Sequence, residues 1–181
     1  MILIFLADGF EEVEALAVVD ILRRANLNVS MVGVTGPWVK GAHGIRVECD
    51  TEISQLKPSE DIEAVILPGG MPGTTNLDKS PAVESLVRYA YEYGKLVCAI
   101  CAAPIVLARL GILDGRNAVC YPGFEKYLKN AKISEDYVCR DGKVITAKGM
   151  GVAIDFALEI AKYFIGEAAT AELRETLMCN E

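Results

Sequence analysis

A chain of 181 residues, 52% of them apolar, is long enough to bury one sizeable core and short for two, so a single domain over 1–181 is expected. Its 18 basic and 25 acidic residues leave a formal charge of −7, and aromatic residues make up only 7%, which argues against a basic nucleic-acid face or a base-stacking platform. No apolar run approaches the ~18 residues of a membrane span, and the start MILIFLADGFEEVEA turns acidic at Asp8 where a signal peptide would stay apolar; a cytoplasmic address is expected, with the six cysteines reduced.

In chain order, Ile2–Ala7 is continuously apolar and reads as a strand buried on both faces. After the Asp8–Gly9 break, apolar residues recur at helical spacing from Glu11 to Ala25, with Arg23 and Arg24 in the last turn, where cations suit the helix dipole. Asn28–Val34 is a second strand. Val39–Val47, interrupted by Gly41 and Gly44, reads as a small hairpin, and Glu63–Leu67 as a buried strand ending at Pro68–Gly69–Gly70. Pro81–Tyr93 is an amphipathic helix. Lys95–Ile100 is a strand that runs into Cys101, and Ala102–Leu110 is a helix with Pro104 in its first turn. Tyr137–Cys139 and Lys143–Thr146 flank the hairpin signal Asp141–Gly142, and two helices follow over Gly151–Phe164 and Glu167–Met178. Buried strands alternating with helices imply an α/β/α sandwich on a mostly parallel sheet, whose sites form beyond the carboxyl ends of the strands. The breaks at Asp8–Glu14, Pro68–Gly73 and Cys101–Pro104 should meet there.

The segment KLVCAICAAPIVLA places Cys101 between a buried strand and a helix, a turn that can hold a nucleophile exposed and strained. A helix start beyond it would favour thiolate, the reactive form; the alternative is a small buried hydrophobe. A redox Cys98–Cys101 pair is disfavoured, because Cys98 lies inside the strand, roughly 10 Å away at ~3.3 Å per residue, beyond disulfide reach. Scattered cysteines without paired histidines give no zinc pattern, so no metal and no cofactor are expected. Glu11, Glu12 and Glu14 suit a helix start; Glu14, among apolar neighbours, could instead reach the Cys101 sulfur as a buried, protonated carboxyl. In LPGGMPG the N–H near Gly70, together with that of Ala102, could form an oxyanion hole; an ordinary turn is the alternative. His43, the single histidine, lies in the hairpin and reads as a solvated turn residue.

Taken together, ADGFEEVEALAVVDILRRA, ILPGGMPG, CAICAAP, AVCYPGFEKYL and TAKGMGVAIDFALEIA resemble, in order, segments of the DJ-1/ThiJ/PfpI superfamily, most closely its small single-domain branch. The resemblance implies a flavodoxin-like sandwich of the class I glutamine amidotransferase type, usually a homodimer. It also implies Cys101 as nucleophile, Glu14 as its acidic partner, and Gly70 and Ala102 as oxyanion donors. Activities it implies are a glyoxalase independent of glutathione or a deglycase acting on methylglyoxal-type dicarbonyls and their adducts, redox sensing or chaperone action through Cys101 oxidation, and, as a naming tradition, thiazole monophosphate biosynthesis. Two departures stand out. The family histidine near the cysteine is replaced in the segment holding Cys120 and Tyr121, and Ala102 stands where the peptidase branch has histidine, so a cysteine peptidase lacks its base. His43 occupies the place of a frequent hairpin arginine, and in a dimer it could act in trans on the partner's cysteine.

Overall fold

The computed structural model describes residues 1–179. Its elements in chain order are β1 (Ile2–Leu6), α1 (Glu12–Arg24), β2 (Val29–Gly33), β3 (Trp38–Lys40), β4 (Arg46–Glu48), β5 (Thr51–Glu52), β6 (Ala64–Leu67), α2 (Gly73–Asp78), α3 (Pro81–Glu92), β7 (Leu96–Ile100), α4 (Pro104–Arg109), β8 (Asn117–Ala118), β9 (Lys132–Ile133), β10 (Val138–Asp141), β11 (Val144–Ala147) and α5 (Ala153–Thr176). Short 3-10 turns punctuate the loops.

The main sheet has the order β10-β11-β7-β6-β1-β2-β5. All of its pairings are parallel except the β10–β11 hairpin at one edge. The continuous apolar runs of the central strands follow from this arrangement, since both faces are covered. Ile2, Ile4 and Leu6 of β1 join the core formed with α1 and α5. Leu3, Phe5 and Ala7 point the other way, into the core beneath α3 and α4. The same alternation divides β7, with Leu96, Cys98 and Ile100 on the first face and Val97 and Ala99 on the second. The result is a flavodoxin-like three-layer sandwich. At about 0.8 kcal/mol per buried methylene, these two apolar layers are the main source of its stability.

Local signals set the helix limits. In α1, Ala15, Val18, Val19, Ile21 and Leu22 are buried along one stripe, and Arg23 and Arg24 close the last turn. The start of α3 is fixed by Ser80, whose Oγ accepts the Val83 N–H at 3.3 Å, and by Pro81 in the first turn. The two expected C-terminal helices are the arms of α5, bent where Gly166 takes φ +79°. Among the described residues no helix is long and apolar enough to cross a membrane.

Three details differ from the sequence expectation. The glycine turn after β6 continues into α2, a helix of 6 residues too short to show a periodic signal. The helix expected from Ala102 begins at Pro104. The small β8–β9 pair and the edge strand β5 hold 2 residues per strand, too few for any alternation.

The chain leaves β1 outward to β2 and returns to β6 on the other side of β1. That reversal opens a crevice beyond the carboxyl ends of β1 and β6, which is where open α/β sheets place their sites.

Candidate active site

Three loops meet in the crevice. The Glu11 N–H donates to the Gly69 carbonyl at 2.9 Å and the Gly73 N–H to the Gly9 carbonyl at 3.1 Å, tying the β1–α1 turn to the β6–α2 turn. Glycine is required for this approach. A Cβ on Gly70 (φ +88°) would lie 2.4 Å from the Glu11 nitrogen, and one on Gly73 would lie 2.5 Å from the Phe10 nitrogen.

Cys101 follows β7 directly and has φ +63°, a left-handed conformation that a non-glycine residue holds only when its surroundings enforce it. Here two bonds do so. Its N–H extends the β7–β11 ladder by donating to the Ala147 carbonyl at 2.9 Å, and its carbonyl accepts the Tyr121 N–H at 2.8 Å. The residue is half-buried. The backbone N–H groups of Gly70 and Ala102 both donate to its sulfur.

Glu14, in the first turn of α1, is 1% exposed. Its Oε2 accepts the Gly69 N–H at 2.9 Å, the Met150 N–H adds a further bond, and the carboxyl is hydrogen-bonded to the Cys101 sulfur. Gly69 makes this contact sterically possible, because a Cβ there would lie 2.6 Å from both the Cys101 Cβ and Glu14 Oε2.

Burial raises Glu14 from the usual carboxylate range to about 7. Burial and the neighbouring Glu14 carboxylate push the Cys101 thiol up to about 12, against the lowering influence of the Ala102 and Gly70 N–H groups. This reverses the direction expected from a helix start. The helix begins three positions beyond the sulfur and has only 6 residues, while the carboxylate is in direct contact. The chemistry therefore belongs to the pair. Between about 7 and about 12 it holds one proton, either as thiol and carboxylate or as thiolate and carboxylic acid.

Of the residues singled out in the sequence, Cys101, Glu14, Gly70 and Ala102 thus come together. His43 does not join them within the chain. Its ring is 70% exposed on the turn between β3 and β4, with Nδ1 at 2.9 Å from Glu12 Oε2 and 3.4 Å from Glu11 Oε2. Cys98 is fully buried within β7, and among the described residues all six cysteines are free.

In the sequence Gly69 reads as part of a turn and Tyr121 as a residue standing where the family histidine is replaced, and neither they nor Gly149 carry a site role there. Tyr121 is held against the Cys101 backbone, and a Cβ on Gly149 would meet the Tyr121 ring at 3.3 Å and lie 3.9 Å from Glu14 Oε1. These residues wall the crevice through backbone proximity. The available signals were the doubled glycine and the KGMG run, and neither reveals which partner it faces.

Topology and crevice together define an α/β sandwich protein with a cysteine–carboxyl pair at a strained strand-to-helix turn. The family model described as DJ-1/PfpI family matches residues 1–163, and the chain belongs to that family. It is 36% identical to "Protein dj-1beta" of Drosophila melanogaster over 179 residues, covering 97% of this chain and 95% of that protein. It is 34% identical to "Glutathione-independent glyoxalase DJR-1.2" of Caenorhabditis elegans, covering 92% of this chain and 89% of that one. The crystal structure of Drosophila melanogaster DJ-1beta superposes with a TM-score of 0.94 over 99% of this chain and 98% of that one, at 35% identity.

Proposed function

We propose that this protein is a glutathione-independent glyoxalase, converting methylglyoxal-type α-oxoaldehydes, free or as early adducts, to α-hydroxy acids. The observation that carries this reading is the single proton shared by Glu14 and Cys101, within reach of the Gly70 and Ala102 N–H groups. In the thiolate and carboxylic acid form, the sulfur adds to the aldehyde carbon. The carbonyl electron pair moves to oxygen, the two N–H groups stabilise that oxyanion, and Glu14 delivers its proton to give a hemithioacetal. The Glu14 carboxylate then takes the proton from the former aldehyde carbon, forming an enediolate with its charge on the former ketone oxygen. Returning that proton to the adjacent carbon, while the hydroxyl proton passes from the first oxygen to the former ketone oxygen, gives a thioester. Water cleaves the carbon–sulfur bond, releasing the hydroxy acid and restoring the thiol. The net change is addition of one water, with no external oxidant or reductant.

The similarity to a protein named as a glyoxalase supports this reading. A peptidase reading lacks support, because among the described residues the lone histidine is engaged by Glu12. One observation favours a second role as an oxidation sensor. A protonated carboxyl and two N–H donors around one sulfur are what a cysteine sulfinate needs to persist, and a solved relative, 32% identical, is described as "Toxoplasma gondii DJ-1, oxidized".

The test is methylglyoxal consumption without glutathione, with the hydroxy acid product followed by NMR. Wild-type protein should turn over, and Cys101→Ser should lose at least about a hundredfold in rate, the scale of removing a covalent or acid–base group. Negligible wild-type turnover, alongside selective Cys101 oxidation by mild peroxide in intact-mass analysis, would replace the enzyme with the sensor.

We further propose a homodimer in the cytoplasm. Val13 on α1 and Trp38 and Ile45 on the hairpin are 46%, 52% and 53% exposed, large apolar side chains that a second copy would cover. In that assembly His43 would approach the partner's crevice.

A further inference from the structure

Outside the cysteine crevice, the start of α1 carries a second cluster of polar chemistry. Glu11, Glu12 and His43 bring one donor atom each to within 4.8 Å of one another. Residues adjacent in sequence on the helix meet an imidazole from the β3–β4 turn, a separation that hides the trio from any spacing motif.

We infer that Glu11, Glu12 and His43 form a binding site for a divalent first-row transition cation. The geometry fits. Four ligands at ~2.0–2.1 Å around a tetrahedral zinc stand about 3.3 Å from one another. Here the His43 Nδ1 lies 3.4 Å from Glu11 Oε2 and 2.9 Å from Glu12 Oε2, and all three donor atoms fall within 4.8 Å of one another, so modest side-chain adjustment would let one ion contact all three. Imidazole with two carboxylates is a donor set suited to such ions.

The surroundings hold the ligands ready. Glu12 is 3% exposed, and its Oε1 accepts the His43 backbone N–H at 2.8 Å and the Ile45 N–H at 3.4 Å, so that Oε2 faces the His43 ring at 2.9 Å, a contact an ion would replace. Gly41 packs against the same carboxyl, where a Cβ would stand 2.2 Å from Oε1. Outer bonds of this kind fix first ligands and sharpen affinity. Within one chain the His43 side chain is 70% exposed, so the remaining coordination positions are open to water or, in the proposed dimer, to a ligand between the two copies.

The charge balance points the same way. Among the described residues the ion pairs of Glu11 and Glu12 are made with His43 alone, so two carboxylates, one of them buried, face one titratable imidazole. A divalent ion supplies the missing positive charge. Two carboxylates outweigh the opposing partial charge of the helix start.

Glu11 acts electrostatically on Glu14, so the site is best measured in Cys101→Ser protein stripped with a chelator, where the active-site thiol cannot take the ion. Calorimetric titration with zinc should show one ion per chain. Affinity should drop about tenfold or more in His43→Ala and in Glu11→Gln, both at positions where circular dichroism can verify an intact fold; outer-sphere losses alone cost that much. Cobalt in place of zinc should give a ligand-field spectrum without thiolate charge transfer. No binding, unchanged affinity in His43→Ala, or a thiolate band from another cysteine would each overturn the assignment.

Discussion

At the scale of single residues, the proton shared by Glu14 and Cys101 sets the behaviour of the site. As pH rises through about 7 the pair gives up its first proton, and the thiolate form becomes accessible without full ionisation of the thiol. Alkylation of Cys101 by iodoacetamide should therefore rise through about pH 7 to a plateau, read by mass spectrometry of the labelled peptide. In Glu14→Gln that step should vanish, and reactivity should follow the thiol's own ionisation, displaced downward because the carboxylate that raised it is gone. An unchanged step near 7 in Glu14→Gln would show that another group titrates there. The same carboxyl costs stability. Burial raises its folded-state pKa, so the unfolded chain loses this proton first; stability is full below 4.5 and falls as pH climbs to about 7. Chemical denaturation should find Glu14→Gln more stable than wild type above pH 7, by about 1–3 kcal/mol, with the gain shrinking toward pH 4.5.

At the scale of elements, the turn after β6 is where sequence and structure part company most informatively. Gly70 stood out as an oxyanion donor because a glycine turn frees an N–H, a property of the residue alone. Gly69 matters for what lies opposite it, the Cys101 Cβ and the Glu14 carboxyl, and a linear sequence does not record opposition. Gly69→Ala should cost about 1–3 kcal/mol in denaturation experiments and lower dicarbonyl turnover more than tenfold by forcing the pair apart. Retained activity would mean that the turn can yield without disturbing Cys101. The short helix α4 carries the complementary lesson. Ala102 and Ala103 have helical propensity, so a helix from Ala102 was the natural reading. The left-handed Cys101 and the turn after it instead delay the helix to Pro104, and its dipole loses hold on the sulfur. The buried strands and the amphipathic helices α1 and α3 were legible because their periodicity reports burial directly. Strands of 2 residues have no period to read.

For the molecule as a whole, a mostly parallel sheet covered on both faces follows from buried runs alternating with helices. That is why the three-layer sandwich could be expected from the residues. What the surface does is written in isolated side chains and is harder to extract. Val13, Trp38 and Ile45 are unremarkable in a sequence that is 52% apolar, and only their exposure in the folded chain sets them apart. Sedimentation equilibrium at micromolar concentration should give twice the chain mass, and Ile45→Glu should shift it toward the single chain. A single-chain mass for wild-type protein would remove the trans role of His43.

The crevice draws on positions 14, 69, 101, 121 and 149, contributed by loops that only the assembled sheet brings side by side. No proteolytic fragment or early folding intermediate carries the complete pocket. The peculiar acid–base signature of this thiol is therefore a built-in gauge of native topology. In refolding, labelling kinetics at that one sulfur should become native-like only with the last docking event, later than any optical signal from helix formation.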